Sequence, residues 1–372
     1  MAKASARSSP LCVTELLQVC HLGISASYIT WPRVTMTSDQ WICIRHPGFQ
    51  KNKHHKFSTA ITVLNPHCSF PKTWEAAASS AKMNPEAPII GLRADLHFQV
   101  IDIESRKSIA KYRMSSEVHY WTWVNTKIIA IVTETAVFHW NVDESGNVPQ
   151  KIFLRLSRLE GSEIVNYTVD SSMNWCALTG LLSEEGTIAG ITQVYSVEKG
   201  LSQCIQSHSV CFTNFKFREN VRSSTVMIVT TRPGLEPTGK VHVVELGSHK
   251  PGNFAPVFHT ETFDFQDPWG RFDFPISVQV SSHLGLVYVT TKFGSIYLFD
   301  LETVAPLYTQ VICPDIVFSA VLKQDTQGIL AIARNGQVLS IDLKRDHIIK
   351  YVEKIAKRAS VAERLSCLLS EG

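Results

Sequence analysis

One pattern repeats along the chain and limits the folds open to it. In each copy, an apolar strand that ends on Thr or Arg is followed by a turn and by a second strand whose apolar residues alternate with polar ones. Six clear copies begin, roughly 40 to 60 residues apart, at Ile90, Ile128, Trp175, Val226, Leu286 and Ile329, and residues 41–64 form a degenerate seventh. Hairpins repeated at this period are typical of a propeller, in which each small sheet buries its faces against its neighbours. The sequence therefore predicts an all-β β-propeller of six blades, or of seven if the degenerate copy is counted.

Two turns give the strongest hairpin signals. The Phe-Gly pair at 293–294 and the Asn-Gly pair at 335–336 each place glycine where a tight turn needs a positive φ. Between Met83 and Trp123 the pattern predicts two short strands, a tight turn at 94–95, a third strand and a closing Trp-x-Trp.

The pattern changes near both ends of the chain. Residues 1–30 are interpreted as a variable N-terminal segment leading into the propeller, which is predicted to span 31–345. Residues 346–372 have apolar residues at helical spacing and predict an α-helical tail, with Ser360 and Glu363 as a capping box. Four apolar side chains of this tail share one helix face that has no visible partner: Val361, Leu365, Leu368 and Leu369.

Composition excludes several classes of protein. The net charge of +3 and the charged fraction of 19% are too small to indicate nucleic acid or a membrane surface as the main partner. The nine cysteines include no CxxC pair, which favours reduced thiols in a cytoplasmic protein over disulfides or a zinc site. No apolar run approaches the ~18 residues that span a bilayer, so no membrane insertion is expected. One basic cluster is interpreted as a solvated loop: Lys51, Lys53, His54, His55 and Lys56.

No group of residues indicates an enzyme. The fourteen histidines are scattered, and the sequence contains no HExxH, GxSxG or glycine-rich phosphate loop. Four acids at strand ends are expected to cap turns rather than to form an acid–base pair: Asp102, Glu104, Asp273 and Asp300. We therefore expect no catalytic residue, no metal and no cofactor.

Short sequence blocks with a family resemblance follow one another over nearly the whole chain. They include Leu22-Gly23-Ile24, Ile42-Cys43-Ile44-Arg45, Met83-Asn84-Pro85, Trp121-x-Trp123, Ala130-Ile131-Val132-Thr133, His139-Trp140, Leu178-Thr179-Gly180, Tyr195-Ser196-Val197, Asp273-Phe274-Pro275, Asp300-Leu301-Glu302-Thr303 and Gly336-Gln337-Val338-Leu339-Ser340. In this order they resemble the amino-terminal domain of the clathrin heavy chain. The resemblance is weak only before Leu16 and over 47–81.

The resemblance implies a seven-bladed propeller followed by the first helices of a linker, working as a docking platform and not as an enzyme. In that family, grooves between blades bind extended peptides of adaptor and accessory proteins, typically acidic, leucine-rich clathrin boxes, in endocytosis and vesicle-mediated intracellular protein transport. Such a groove offers strand edges, apolar pockets for alternate side chains and basic residues for acidic positions. The implied location is the cytoplasm and the surface of coated pits and coated vesicles.

The family's clathrin-box groove maps to Ile90, His97, Gln99, Ile101 and Arg106. Three of these keep the family's chemistry, as an apolar side chain, an amide that pairs with the peptide backbone, and a cation. His97 and Ile101 instead replace a threonine and an aromatic residue. Ser108 replaces a second lysine, and Trp74 falls near the position of an arginine. Because an exposed charge contact contributes ~0.2–1 kcal/mol, we expect weaker peptide binding here, but not its loss.

Two further sites follow from the resemblance. A second groove, which takes a longer hydrophobic peptide in the family, maps to Trp175, Val194, Lys199 and Gln203. The central cavity at one propeller face, which takes Trp-containing peptides in the family, maps to Trp31, Glu163 and Val165. Because Glu163 replaces a neutral amide and would repel acidic peptides, we expect this cavity to contribute least.

Other interpretations stay open. Without the family, Ile90, Val165 and Val194 would be propeller core, and Arg106 and Lys199 ordinary surface charges. In the family, the helical leg, the light-chain site and the trimerisation region follow the linker, so these 372 residues are expected to form a monomer that builds no lattice. Two alternatives are a generic scaffold propeller without peptide grooves, and a decaying, truncated copy that neither binds adaptors nor joins coats.

Overall fold

The computed structural model describes residues 9–48, 59–143, 146–184, 186–246 and 257–370. The basic cluster between Lys51 and Lys56, interpreted above as a solvated loop, lies outside these residues. Among the described helices, none is long and apolar enough to cross a bilayer.

The described strands form seven antiparallel sheets of four strands each, which confirms the predicted seven-bladed propeller. The blades follow, each from its inner to its outer strand. Blade 1 is β2 (Val34–Ser38), β3 (Trp41–Pro47), β4 (Thr59–Asn65) and β5 (Cys68–Glu75), and blade 2 is β6 (Ser80–Met83), β7 (Ile89–Ala94), β8 (His97–Asp102) and β9 (Ser108–Arg113). Blade 3 is β10 (Val118–Trp123), β11 (Ile128–Thr133), β12 (Ala136–Asn141) and β13 (Gln150–Leu154), and blade 4 is β14 (Glu163–Val169), β15 (Trp175–Glu184), β16 (Thr187–Ser196) and β17 (Leu201–Gln206). Blade 5 is β18 (Ser209–Phe215), β19 (Ser224–Thr231), β20 (Thr238–Glu245) and β21 (Phe258–Asp264), and blade 6 is β22 (Pro275–Ser281), β23 (Leu286–Thr291), β24 (Ser295–Asp300) and β25 (Pro306–Val311). Blade 7 is β26 (Val317–Leu322), β27 (Ile329–Ala333), β28 (Gln337–Leu343) and β1 (Leu11–Gln18).

The seventh blade contains strands from both ends of the chain. β1 pairs antiparallel with β28, from Leu11 opposite Leu343 to Gln18 opposite Gln337. This pairing completes the last sheet and closes the ring of blades. The propeller boundary expected at residue 31 therefore differs from the structure, because residues 11–18 form a propeller strand.

The inner strands of the seven blades contact one another in a ring around a central channel. Facing side chains of adjacent blades form separate apolar clusters. Between blades 2 and 3, for example, the rings of Phe98 and Trp121 meet edge to face at 5.5 Å. Because each sheet is covered on both faces, a central strand such as β23 is buried at every position.

The Trp-x-Trp pair lies in β10, the inner strand of blade 3. Trp121 Nε1 donates to Ser80 Oγ at 3.0 Å, and Trp123 Nε1 donates to the Lys82 carbonyl at 3.1 Å. The expectation that this pair closes the preceding unit is therefore wrong, because the two indoles bond to that unit from the next sheet.

Glycine occupies the two predicted hairpin turns with positive φ. Gly294 has a φ of +75° and Gly336 a φ of +92°, which confirms both turns. At Gly294 a Cβ would lie 2.2 Å from the backbone carbonyl oxygen of Cys313, so this turn also leaves no space for a side chain.

Two helices, α1 (Arg345–Lys354) and α2 (Ala359–Ser370), form the predicted tail. Val361 and Leu365 of α2 are buried against blades 6 and 7, where the rest of the apolar face is partly buried. The prediction that this face has no partner is therefore wrong. Its partner is the surface of blades 6 and 7, whose strands precede α2 in the sequence. Ser360 lies within the first turn of α2 and not at its N-cap, so the capping-box prediction is also wrong.

An ion-pair network holds α2 to blade 6. Arg364 Nη2 contacts Asp300 Oδ1, and its Nη1 lies 3.3 Å from Glu302 Oε2. The Asp300 side chain is fully buried, so the loss of Arg364 would leave a buried charge without its cation.

Candidate peptide-binding grooves

The first groove lies between blades 1 and 2. Side chains alternate along β8, so that His97, Gln99 and Ile101 face blade 1 while the residues between them pack towards blade 3. On the other side, Trp74 of β5 packs against the apolar cluster between the two blades. The outer strands β5 and β9 are the edges of their sheets. The structure thus brings these predicted residues to one surface.

Ile90 belongs to the core beneath the first groove. Its side chain is 0% exposed and packs in one cluster with Ile61 and Val63 of blade 1. Its pairing partner in β8, Ile101, is only partly buried in the same cluster. Ile101 therefore offers the accessible apolar surface, while Ile90 supports it.

Arg106 stands on the turn between β8 and β9. Its φ is +56°, and Asp102 stabilises the turn, because its Oδ1 accepts hydrogen bonds from the N–H groups of Ser105 at 2.9 Å and Glu104 at 2.8 Å. These bonds hold the pKa of the Asp102 carboxyl below its ordinary value. Asp102 is thus a turn cap, as predicted, and it places Arg106 at the exposed end of the groove.

Two cations that the sequence mapping missed also face the first groove. In the pairing of β8 with β9, Lys111 lies opposite Gln99 and Arg113 opposite His97, which puts both cations on the side of blade 1. Both side chains are exposed. Their spacing of two residues in a strand was the available signal, because such residues share a face.

Weak polar contacts already occupy part of the first groove. Gln99 Nε2 donates to Ser108 Oγ at 3.4 Å, and Lys72 Nζ of blade 1 lies 3.9 Å from Glu104 Oε1 of blade 2. Both contacts are long and exposed, so they contribute little to stability. The Gln99 amide is therefore only weakly held by its present partner.

The second groove lies between blades 4 and 5. Val194 of β16 lies opposite Gln203 of β17, and it is 7% exposed within the apolar cluster of this interface. Trp175 of β15 is half-buried against the same cluster, to which blade 5 contributes Phe212 and Met227. The predicted residues again meet at one surface, with Val194 as its floor.

An exposed leucine and a cation stand at the end of the second groove. Lys199 lies in the turn between β16 and β17, where its N–H donates to Ser196 Oγ at 3.3 Å. Leu201 is 66% exposed and lies on the same face of β17 as Gln203. The sequence mapping missed Leu201, although its alternation with Gln203 indicated the shared face.

The three predicted cavity residues, Trp31, Glu163 and Val165, all line the central channel. The cavity there has a volume of about 1370 Å³. Three cations that the mapping missed line it as well: Lys82, Arg93 and Lys292. Asp39 and Glu86 line the cavity too, so three carboxylates and three cations share its wall.

Three of the four strand-end acids accept hydrogen bonds from backbone N–H groups, whereas Glu104 instead lies 3.9 Å from Lys72 Nζ. Asp273 Oδ1 accepts from the N–H groups of Phe274 at 2.9 Å and Phe293 at 3.0 Å, and Asp300 Oδ2 accepts from that of Thr303 at 2.8 Å. Both acids therefore cap turns, as predicted. The described part of the chain holds no group of three or more metal-ligating side chains.

Curated clathrin heavy chains match nearly the whole chain. The clathrin heavy chain of Drosophila melanogaster is 32% identical over 357 residues, which are 96% of this chain and 21% of that protein. Clathrin heavy chain 2 of Homo sapiens and the clathrin heavy chain of Dictyostelium discoideum are 32% and 33% identical over 96% of this chain, and the match covers 21% and 20% of them. The chain thus spans about a fifth of the length of the curated relatives it matches.

The fold has a solved counterpart at low sequence identity. No family model matches the chain. A chain of the mitotic checkpoint complex superposes on 90% of this chain and 95% of its own length, with a TM-score of 0.57 and 12% identity, which shows the fold alone.

The matched part of the clathrin heavy chains is their N-terminal region. The chain is therefore a clathrin-type terminal propeller, homologous to the N-terminal region of the clathrin heavy chains.

Proposed function

We propose that the chain is a docking module of clathrin coats, which binds short acidic, leucine-rich peptides of adaptor and accessory proteins in the first groove. Its place of action is the cytoplasmic surface of coated pits and coated vesicles. One observation carries the proposal: an amide and two cations, Gln99, Lys111 and Arg113, share one face beside the apolar Ile101, and the exposed Arg106 stands on the turn that follows β8.

This arrangement suits an extended peptide. Leucine side chains pack on the partly buried surface of Ile101 and Trp74, and the Gln99 amide bonds to the peptide backbone. Acidic side chains lie near the cations, each contact contributing ~0.2–1 kcal/mol. Lys111 and Arg113 thereby offset the lysine that Ser108 replaces.

The second groove takes a different peptide. Trp175 and Leu201 supply apolar surface, while Gln203 and Lys199 supply a hydrogen-bonding amide and a cation. A hydrophobic peptide with an acidic residue at one end matches this set. The two grooves therefore bind separate motifs, and catalysis has no part in either.

Fluorescence anisotropy with a labelled acidic, leucine-rich peptide tests the proposal. Binding in the micromolar range is expected, with a clear loss in Gln99→Ala and Arg106→Glu. Lys151→Glu, which reverses an exposed charge on the outer strand of blade 3, is the matched control and should bind as the unchanged chain does. Absence of binding by the folded chain would instead favour a scaffold propeller without peptide grooves.

A further inference from the structure

Lys82 projects into the central cavity from the inner strand of blade 2. Its Nζ lies 4.3 Å from the centre of the Tyr120 ring and 5.7 Å from that of Trp121, so the ammonium group stands against aromatic rings of blade 3. The side chain is half-buried and lines the cavity of about 1370 Å³. A ligand inside the channel would therefore meet this side chain at the wall.

Lys82 has a second cation beside it. In the pairing of β6 with β7, Ser80 lies opposite Arg93 and Lys82 opposite Gly91, so Lys82 and Arg93 are diagonal neighbours on one face. Arg93 Nη1 donates to the Val118 carbonyl at 2.7 Å, but its buried Nε has no hydrogen-bond partner among the described residues. Within that part of the chain, neither Lys82 nor Arg93 forms an ion pair.

Lys323 is a buried lysine that has a carboxylate as its counter-ion, and it serves as a comparison for Lys82. Its side chain is 5% exposed, and its Nζ lies 3.0 Å from Asp342 Oδ1 and 2.9 Å from Ser340 Oγ. Such partners are needed because a buried cation without a counter-ion destabilises the protein. At Lys82, burial and then the charge of Arg93 lower the pKa of the amine to about 7. Lys82 lacks the carboxylate partner that Lys323 has.

We propose that Lys82 and Arg93 form an anion-binding site inside the channel, which takes a carboxylate or another oxyanion group of a ligand that enters the central cavity. The bound group accepts hydrogen bonds from the Lys82 ammonium, and the charge of the neighbouring Arg93 guanidinium adds to the attraction. This site lies on β6 and β7, at the channel side of blade 2, and does not depend on the two proposed grooves, which lie towards the outer strands.

Binding at this site is linked to proton uptake. A bound anion favours the charged form of Lys82, so the amine takes up a proton when a ligand binds above pH 7. Affinity is then highest below pH 7 and falls about tenfold between pH 6 and pH 8, as the protonated fraction falls. The charged and titratable side chains around Lys82 and Arg93 are His119, Tyr120, Asp39 and Glu86, together with Asp95 and Glu117, whose negative charges act on Arg93.

Calorimetry with the full chain at pH 6, 7 and 8 tests this inference. The probes are sulfate and the peptide acetyl-Glu-Glu-Glu-amide, whose charges stay constant in this range. Sulfate binding with the expected pH profile supports a site for free oxyanions, and peptide binding with that profile supports a site for carboxylates on a chain. Buffers with different ionisation enthalpies report the proton uptake directly.

Three variants identify the titrating group. Lys82→Met should lose more than tenfold in affinity, and Lys82→Arg should keep the affinity but lose the pH dependence, because arginine stays charged. His119→Gln should behave as the unchanged chain. The inference is overturned if neither probe binds, if Lys82→Met binds as before, or if Lys82→Arg keeps the pH dependence. If Lys82→Met does not fold, the Lys82→Arg profile decides the question.

Discussion

The first and second grooves share one construction but differ in chemistry. In each, a buried aliphatic residue of the middle strands forms the floor, Ile90 in one and Val194 in the other, and a half-buried tryptophan packs beside it. The outer strands differ, because β9 turns two cations towards the first groove whereas β17 turns an exposed leucine towards the second. The core thus forms both grooves, and under the proposed function the outer strand sets the class of peptide that each one binds.

Removal of the tryptophan from the second groove should have the largest effect. In Trp175→Ala we expect the affinity for a hydrophobic peptide to fall more than tenfold and the free energy of unfolding to fall by about 2–3 kcal/mol, since a half-buried aromatic side chain leaves the cluster between blades 4 and 5. Calorimetry measures the affinity and urea denaturation the stability. In both quantities Trp175→Phe should lie between the unchanged chain and Trp175→Ala. An equal loss of affinity for the acidic peptide would contradict the independence of the grooves.

Charge reversal on β9 should act only on the first groove. The double variant Lys111→Glu, Arg113→Glu should lower the affinity for the acidic peptide about tenfold at low salt, with less effect at high salt, because exposed charges are screened. Its unfolding free energy should stay within about 0.5 kcal/mol, as both side chains are exposed. Anisotropy at two salt concentrations measures this, with Lys111→Arg as the charge-conserving control. If the double variant also lost binding of the hydrophobic peptide, the two grooves would not act independently.

Removal of the exposed leucine should weaken the second groove moderately. In Leu201→Ser the affinity for the hydrophobic peptide should fall about threefold to tenfold, because the peptide loses an apolar contact. Unfolding should change by less than about 0.5 kcal/mol, since the side chain is already 66% exposed. Val197→Ser, at another exposed apolar position near the same turn, is the control in the same titration. A loss of stability without a loss of affinity would assign Leu201 to the fold instead.

A lysine added to the first groove should give the smallest effect. Ser108→Lys should raise the affinity for the acidic peptide about 1.4-fold to fivefold, which corresponds to one exposed charge contact of ~0.2–1 kcal/mol. Ser108→Gln has similar reach without the charge and should leave the affinity unchanged. If both variants weaken binding equally, the Ser108 hydroxyl itself contributes to binding, and the added charge has no effect.

The fold was predictable from local pattern wherever a blade is made of consecutive strands. The hairpin repeat and the turn at Gly336 identified the blades, because each is encoded within a few residues. The pairing of β1 with β28 and the docking of α2 on blades 6 and 7 were not predictable, since both join segments far apart in the sequence. Long-range pairing leaves no periodic signal in one strand.

The sequence predicted where the candidate grooves lie better than it predicted which side chains face them. The residues that the resemblance carried over do meet in two grooves and a cavity, but burial of Ile90 shows that a matching residue type does not fix its exposure. Lys111 and Arg113 were missed because the mapping followed family positions instead of the alternation of β9. Lys82 was missed because only the structure shows that it lacks a carboxylate partner.

The central claim is that two separate grooves bind two classes of peptide. The most direct test is calorimetric titration of the acidic peptide into the folded chain already saturated with the hydrophobic peptide. The account predicts one site for each peptide and an acidic-peptide affinity unchanged by the first ligand. Displacement of one peptide by the other, or no binding of either, would contradict it.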